Sequence, residues 1–507
     1  MKSCLLRTWA LWVRGLMLAL LSVSLVIIFT QYAHAQVVRF AKTYGRTDGE
    51  GAFSVQQTSD GGYIVAGWTS SFGVGWTDIF LVKTDASGNV QWAKTYGGTD
   101  EDWAYSVQQT SDGGYIVAGT TWSFGAGSGD FFLVKTDANG NIIWAKTYGG
   151  GSYDYAYSVR QTSDGGYIVA GTTASFSAGN YDIFLIKTDA NGNVQWAKTY
   201  GGTSGDYAYS VQQTSDGGYI VLGWTNSFGA GWDDIFLIKI DANGNLQWAK
   251  TYGGTYHEGA YSVQQTSDGG YILVGGTYSF GAGLEDIILI KTDTNGNIIW
   301  AKIYGGAYSE RVSSVQQTSD GGYIVAGWTY SFGAGLNDVF LIKIDTNGNL
   351  QWAKTYGGTD LDWSYSVQQT SDGGYIVAGE TRSFGVGNYD IFLIKTDANG
   401  NIGSCGIVGN ASPTVTTPSV TVTTLSLTVL SVSPTVTSPS PTVTSPTISY
   451  SQVCPLSFDD NVGISESCKP VSGLITPYKG GIKVSGSGEF EVKVYNVSGV
   501  MVKSVKG

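Results

Sequence analysis

Hydrophobic and polar positions alternate in short runs, broken by glycine turns, from residue 38 to residue 403. In one stretch, residues 104–110 (AYSVQQT) suit a strand, 111–114 an Asp-Gly turn, and 115–121 (YIVAGTT) a second strand. A Gly-rich loop fills 122–129, followed by a third strand over 130–137 (DFFLVKTD), an Asn-Gly turn, and a fourth strand over 142–148 (IIWAKTY). Asp-Gly and Asn-Gly between apolar runs are strong hairpin signals, because glycine supplies the positive φ that such turns require. Phe131 to Val134 run without alternation, so the third strand must be covered on both faces.

The whole pattern repeats. The aspartate of Thr-Ser-Asp-Gly-Gly-Tyr-Ile falls at 60, 112, 164, 216, 268, 320 and 372, at intervals of 52 residues with no insertion. Identical four-stranded antiparallel meanders, apolar on both faces, cover one another around an axis. The fold class is therefore all-β, a seven-bladed β-propeller over 37–403. A linear solenoid would instead need polar capping repeats. Trp92, Trp144, Trp196, Trp248, Trp300 and Trp352 mark the fourth strand; one period earlier stands Phe40, and one period later Ser404, where the pattern stops. Residues 38–44 should therefore pair with 390–397 and close the ring, leaving no open edge. The tryptophans should be buried between blades.

Residues 137–144 (DANGNIIW) resemble the tryptophan-docking repeat of quinoprotein-type propellers, shortened by one residue. Residues 110–114 (TSDGG) are similar to the Asp-box turn of sialidase-type propellers, and the Gly-Gly and Tyr content is kelch-like. The full unit resembles repeats of bacterial and archaeal surface proteins. These resemblances imply a fold and not a reaction.

The flanks are different material. Lys2, Arg7 and Arg14, an uncharged run from Gly15 to Phe29, and Ala33-His34-Ala35 read as a signal peptide over 1–35. Its removal would leave no membrane span and imply a secreted or cell-surface protein. Residues 409–453 are rich in Thr, Ser, Pro and Val and carry no charge, which suggests a disordered linker or stalk, with a glycosylation sequon at Asn410. Residues 454–507 return to strand patterning around 481–485, 489–495 and 500–505. They resemble a C-terminal sorting tail of secreted proteins, or an immunoglobulin-like module. Cys454 and Cys468 are spaced for a local disulfide that would leave Cys405 odd, although the three cysteines allow other pairings.

Candidate chemistry is sparse. A net charge of −12 disfavours nucleic acid. With the signal removed, His257 is the single histidine, so histidine triads and histidine metal sites are excluded. Two carboxylate sets recur in every repeat. One is Glu50, Asp102, Asp154, Asp206, Glu258, Glu310 and Asp362; the other is Asp78, Asp130, Asp182, Asp234, Asp286, Asp338 and Asp390. Sevenfold acids at strand entrances suit loop bracing; calcium binding by the first set is the metal alternative.

Variation concentrates in the second connection of each blade and the link to the next, which a meander sends to one end. Trp76, Trp103, Trp122, Trp232 and Trp363 lie there, and form the candidate ligand-binding set. An acidic, aromatic rim is expected, favouring a cation or a neutral ligand. The best-supported function is non-enzymatic binding of an extracellular protein or carbohydrate by a monomeric propeller with no cofactor, or with calcium. A polysaccharide hydrolase or lyase and a structural surface-layer component are the alternatives.

Overall fold

The computed structural model describes residues 38–403 and 405–425, and beyond them the strands at 428–431, 435–437, 442–444, 449–457, 474–478, 481–485, 491–495 and 501–506. The signal segment lies outside the described residues. Two compact units are present, Met1–Phe458 and Asp459–Gly507.

The first unit is a seven-bladed propeller. Blade one runs Glu50–Gln57, Tyr63–Thr69, Asp78–Thr84 and Val90–Gly97, from the channel outwards. Blades two to six repeat this order. Blade seven takes its fourth strand from the N-terminus: Arg39–Gly45 pairs antiparallel with Asp390–Thr396, Phe40 opposite Lys395 and Tyr44 opposite Ile391. Third strands are buried along their full length, as their unbroken apolar pattern requires. The core is seven interblade clusters, such as Phe40, Tyr63 and Phe80 packed with Ile376 and Leu393.

The turns close as their residues dictate. Gly61 sits at φ +82°, and Asp60 Oδ1 accepts hydrogen bonds from Thr58 Oγ1 at 2.5 Å and Gly62 N at 3.0 Å. Lys83, buried on the third strand, reaches Asp60 Oδ2 at 2.9 Å; six equivalent pairs follow the repeat. Asp137 caps its own Asn-Gly turn by accepting from Asn139 N and Asn141 N.

The docking tryptophans sit between blades but are half-buried, not buried as expected. Trp144 meets Tyr167 of the next blade edge to face at 5.8 Å and donates to Ala190 O at 3.2 Å. It covers the end of a junction whose interior the tyrosines already fill.

Inner strands leave an unpaired edge toward the channel. Side chains of the preceding blade take up that edge. Ser54 Oγ accepts from Val107 N at 3.2 Å, and Gln56 Oε1 accepts from Gln109 N at 2.6 Å. The serine link recurs at all seven junctions.

The outer edge is closed by the segment expected to be a disordered linker. It forms a belt, and each sheet has five strands, not four. Val408–Asn410 joins blade six, then Thr414–Thr416, Thr421–Leu425, Thr428–Ser431, Thr435–Thr437 and Thr442–Thr444 join blades five to one, and Ser449–Ser457 lies on the N-terminal strand. Positions 408, 415, 422, 429, 436, 443 and 450 stand opposite Tyr356, Tyr304, Tyr252, Tyr200, Tyr148, Tyr96 and Tyr44. The interval is seven residues throughout. Seven extended residues reach at most about 23–25 Å, enough chain for one short strand and the crossing to the next blade edge. Proline, which cannot donate to a ladder, falls at connections such as Pro413 and Pro418.

The disulfide joins Cys405 to Cys454, 49 residues apart, and corrects the expected pairing of Cys454 with Cys468. The belt carries Cys454 back to its own starting point, where Cys405 waits. Cys468 lies outside the described residues. The second unit contains the hairpins Leu474–Tyr478 with Gly481–Ser485 and Glu491–Tyr495 with Met501–Lys506.

The belt makes a covalent prediction. One proteolytic cut between Cys405 and Cys454 should give a single species on a non-reducing gel and two after reduction. Cys454→Ser should lower unfolding stability by about 4 kcal/mol from loop entropy, measured by denaturant titration.

Candidate binding site at the channel mouth

The meander sends Asp-Gly and Asn-Gly turns to one end of the ring and the variable loops to the other. At the variable end, one side chain per inner strand rings the channel: Phe53, Tyr105, Tyr157, Tyr209, Tyr261, Ser313 and Tyr365. The six aromatics form a continuous arc. Phe53 lies 4.9 Å from Tyr365 and 5.2 Å from Tyr105, centroid to centroid. Tyr105–Tyr157, Tyr157–Tyr209 and Tyr209–Tyr261 follow at 5.1, 4.7 and 5.5 Å. Such tilted spacings suit ring quadrupoles.

Ser313 interrupts the arc in blade six, and its hydroxyl donates to Ser364 O at 3.0 Å. Trp328 stands in the same gap, with the Arg311 guanidinium 5.4 Å over its ring. Arg311 Nε donates to Glu285 Oε2 at 2.7 Å, and the Tyr278 hydroxyl donates to the same carboxylate. The arc and the gap together enclose a cavity of about 430 Å³, within the range of small-ligand sites. No carboxylate lines it among the described residues; Glu380 sits behind Tyr365, accepting its hydroxyl at 2.9 Å. Burial pushes Glu380 up to about 7, despite that hydrogen bond.

The five expected tryptophans do not form one site. Trp363 lines the cavity, and Trp103 backs it, 6.2 Å from Phe53 and 5.3 Å from Trp68. Trp122 packs on Tyr155 of the next blade at 5.8 Å. Trp76 and Trp232 project from loops, 77% and 65% exposed. Trp232 stacks edge-on against His257, whose Nδ1 is paired with Asp233 Oδ2. Sequence reading missed the arc itself, although its repeat column reads Phe, Tyr, Tyr, Tyr, Tyr, Ser, Tyr.

The two acid sets do share this end, but they are buried and do not present their carboxylates on the rim surface, so the expected acidic rim does not come from them. Glu50, Asp102, Asp154, Asp206, Glu258, Glu310 and Asp362 do not converge on the channel as one calcium ring. Each lies in its own junction beside a carboxylate of the preceding blade, and no group of three or more His, Cys, Asp or Glu converges among the described residues. Gly149 explains the geometry. A Cβ there would lie 1.8 Å from Asp130 Oδ1 and 2.7 Å from Asp154 Oδ2, so only glycine leaves room for the pair. Asp130 Oδ2 accepts from Ala126 N and Gly127 N, and Asp154 Oδ2 from Gly150 N and Ser175 Oγ. The acids brace the loops that carry the mouth.

Residues 110–142 and 318–350 match a family model described as a domain of unknown function (DUF5122) beta-propeller. Regulatory protein FlaEY of Caulobacter vibrioides is 23% identical over 300 residues, which is 54% of this chain and 30% of that protein. The chain thus spans less than a third of that relative. Among solved structures, Sqt1 from Chaetomium thermophilum aligns with 66% of this chain and 81% of its own at 12% identity and a TM-score of 0.40. Puromycin hydrolase aligns with 66% of this chain and 50% of its own at 14% identity and a TM-score of 0.42.

The carboxylates predict an unusual pH profile. Burial pushes Asp102, Asp130, Asp182 and Asp338 up to about 6. Groups raised in the folded state stabilise fully below the unfolded value of ~4 and lose that contribution as pH rises through about 6. Burial would also raise Asp112, Asp164 and Asp216, but hydrogen bonds from threonine and lysine hold them down to about 2. Their contribution is present above ~4 and disappears as pH falls through about 2. Melting temperature at fixed ionic strength should therefore peak near pH 4. A steady rise from pH 4 to pH 7 would contradict the assignment.

Proposed function

We propose that the protein is a non-enzymatic binding protein, secreted or held at the cell surface, that takes a sugar unit of an extracellular glycan at the channel mouth. The broken aromatic arc carries this reading. Six ring faces offer stacking surface for a neutral, ring-shaped ligand, and the gap at Ser313 supplies the hydrogen-bonding side through Ser313 and Arg311, the latter held by Glu285. Exposed Trp76, Trp232 and Tyr308 on the surrounding rim suit contact with further units of a polymer. The Cys405–Cys454 disulfide fits an oxidising compartment. A non-catalytic role also fits a relative named as a regulatory protein.

Ser313→Tyr tests the reading without threatening the fold, because five other repeats carry tyrosine there. On a glycan array, the wild-type chain should bind and release no shortened product. Ser313→Tyr should close the gap and abolish binding, and Tyr157→Ala should weaken it by roughly tenfold, ~1.4 kcal/mol. Equal binding by Ser313→Tyr, or appearance of cleaved glycan, would overturn it.

A further inference from the structure

Below the aromatic arc, the channel narrows to a cavity of about 220 Å³ lined by serine, valine and glutamine of the inner strands. One repeat differs. The column Gln56, Gln108, Gln212, Gln264, Gln316 and Gln368 carries arginine in blade three, Arg160. Arg160 is the one charged residue lining this cavity among the described residues.

The polarity of the lining follows from the interblade links. Each of the six glutamines spends its Oε1 on a backbone N–H of the next blade, at 2.5–2.6 Å. Only the amide oxygen can accept from a backbone N–H, so the orientation of each side chain is settled, and the NH₂ groups remain toward the lumen. The seven serines likewise accept from valine N–H groups, which leaves their hydroxyl protons free to donate. Each of these acceptor oxygens is already engaged by the fold, whereas the donors are left over.

Arg160 adds a charge to this set. Its Nη1 donates to Val159 O at 2.8 Å and Ser106 Oγ at 3.4 Å. Nε and Nη2 make no hydrogen bond among the described residues and complete a two-pronged donor edge. Among the described residues no carboxylate lines the cavity beside the guanidinium, and desolvation lowers its proton affinity from the ordinary arginine value. At ~30 Å³ per water, the cavity holds several waters, or one small anion with its remaining hydration.

We propose that the channel binds a small oxyanion on Arg160, with amide N–H groups of the flanking Gln108 and Gln212 and serine hydroxyls completing its shell. The inference does not rest on the glycan reading, because it uses a different wall of the channel. It explains why arginine is tolerated where every other blade has glutamine. Arg160 cannot accept, so the link to Gln213 N is absent among the described residues, and the lost bond is exchanged for a charge.

Arg160→Gln restores the residue found in the other six repeats, and should fold as well as the wild type. Equilibrium dialysis of the full chain with radiolabelled sulfate, in sodium chloride of constant ionic strength, should show saturable binding of one ion per chain. Arg160→Gln should weaken it at least tenfold with no loss of melting temperature in sulfate-free buffer, because the glutamine restores the interblade link to Gln213 N. Competition by inorganic phosphate and by acetate would distinguish a tetrahedral site from a carboxylate site. Ser313→Tyr should leave sulfate binding unchanged, which separates this site from the mouth. Binding that is unsaturable, or equal in Arg160→Gln, would overturn the proposal.

Discussion

Every blade of this protein is a small sheet with two raw edges, and the need to satisfy them organises the rest. Unpaired strand edges attract other strands, so a β-protein that is not to aggregate must cover them. On the channel side, no further strand fits. Ser54 and Gln56 and their repeats reach across to the neighbouring backbone instead. On the outside, the Thr-Val belt supplies a fifth strand. In blade seven, the N-terminus provides the missing fourth. One requirement thus accounts for the polar channel, the borrowed strand and the uncharged belt together.

That solution also divides the ring into a part that must stay uniform and a part free to differ. The turn end is committed to Lys–Asp pairs, Asn-Gly turns and tryptophans seated on the next blade. The opposite end is braced by buried carboxylates that hold loop N–H groups whatever the loop contains. In a chain this repetitive, departures from sevenfold identity are the informative residues. Ser313 opens a ring of aromatics, and Arg160 places a cation where the fold alone would be content with an amide.

Much of this was legible in the sequence. Turn dipeptides, the fixed period and the missing tryptophan at 404 sufficed for blades, count and closure, because these are local signals repeated many times. The belt was not legible, because Thr, Ser, Pro and Val without charge have the composition of a free stalk. Its signal was a second period, with Val408, Val415 and Val422 through to Tyr450, which has meaning only beside the seven blades. The disulfide was missed for the same reason: Cys405 and Cys454 meet only once the belt has gone round. Burial of the acids was hidden because Asp130 and Asp154 belong to different repeats and find each other only across a junction. For the mouth, large tryptophans drew attention to the loops, whereas the channel is lined from the strands.

The belt also measures the ring. It advances seven residues for every 52 of the propeller and must finish within reach of Cys405. With one blade fewer, its last step would overshoot the seam; with one more, Cys454 would stop a blade short. Ring size and belt length are therefore a matched pair of gauges, and a gene that gained or lost a repeat would have to gain or lose one heptad in the same event. The belt is also the last part of the propeller unit to be synthesised, and it threads from blade six back to the N-terminal strand. Closure of the disulfide then amounts to a proof-reading step, completed only on a chain that has already counted to seven.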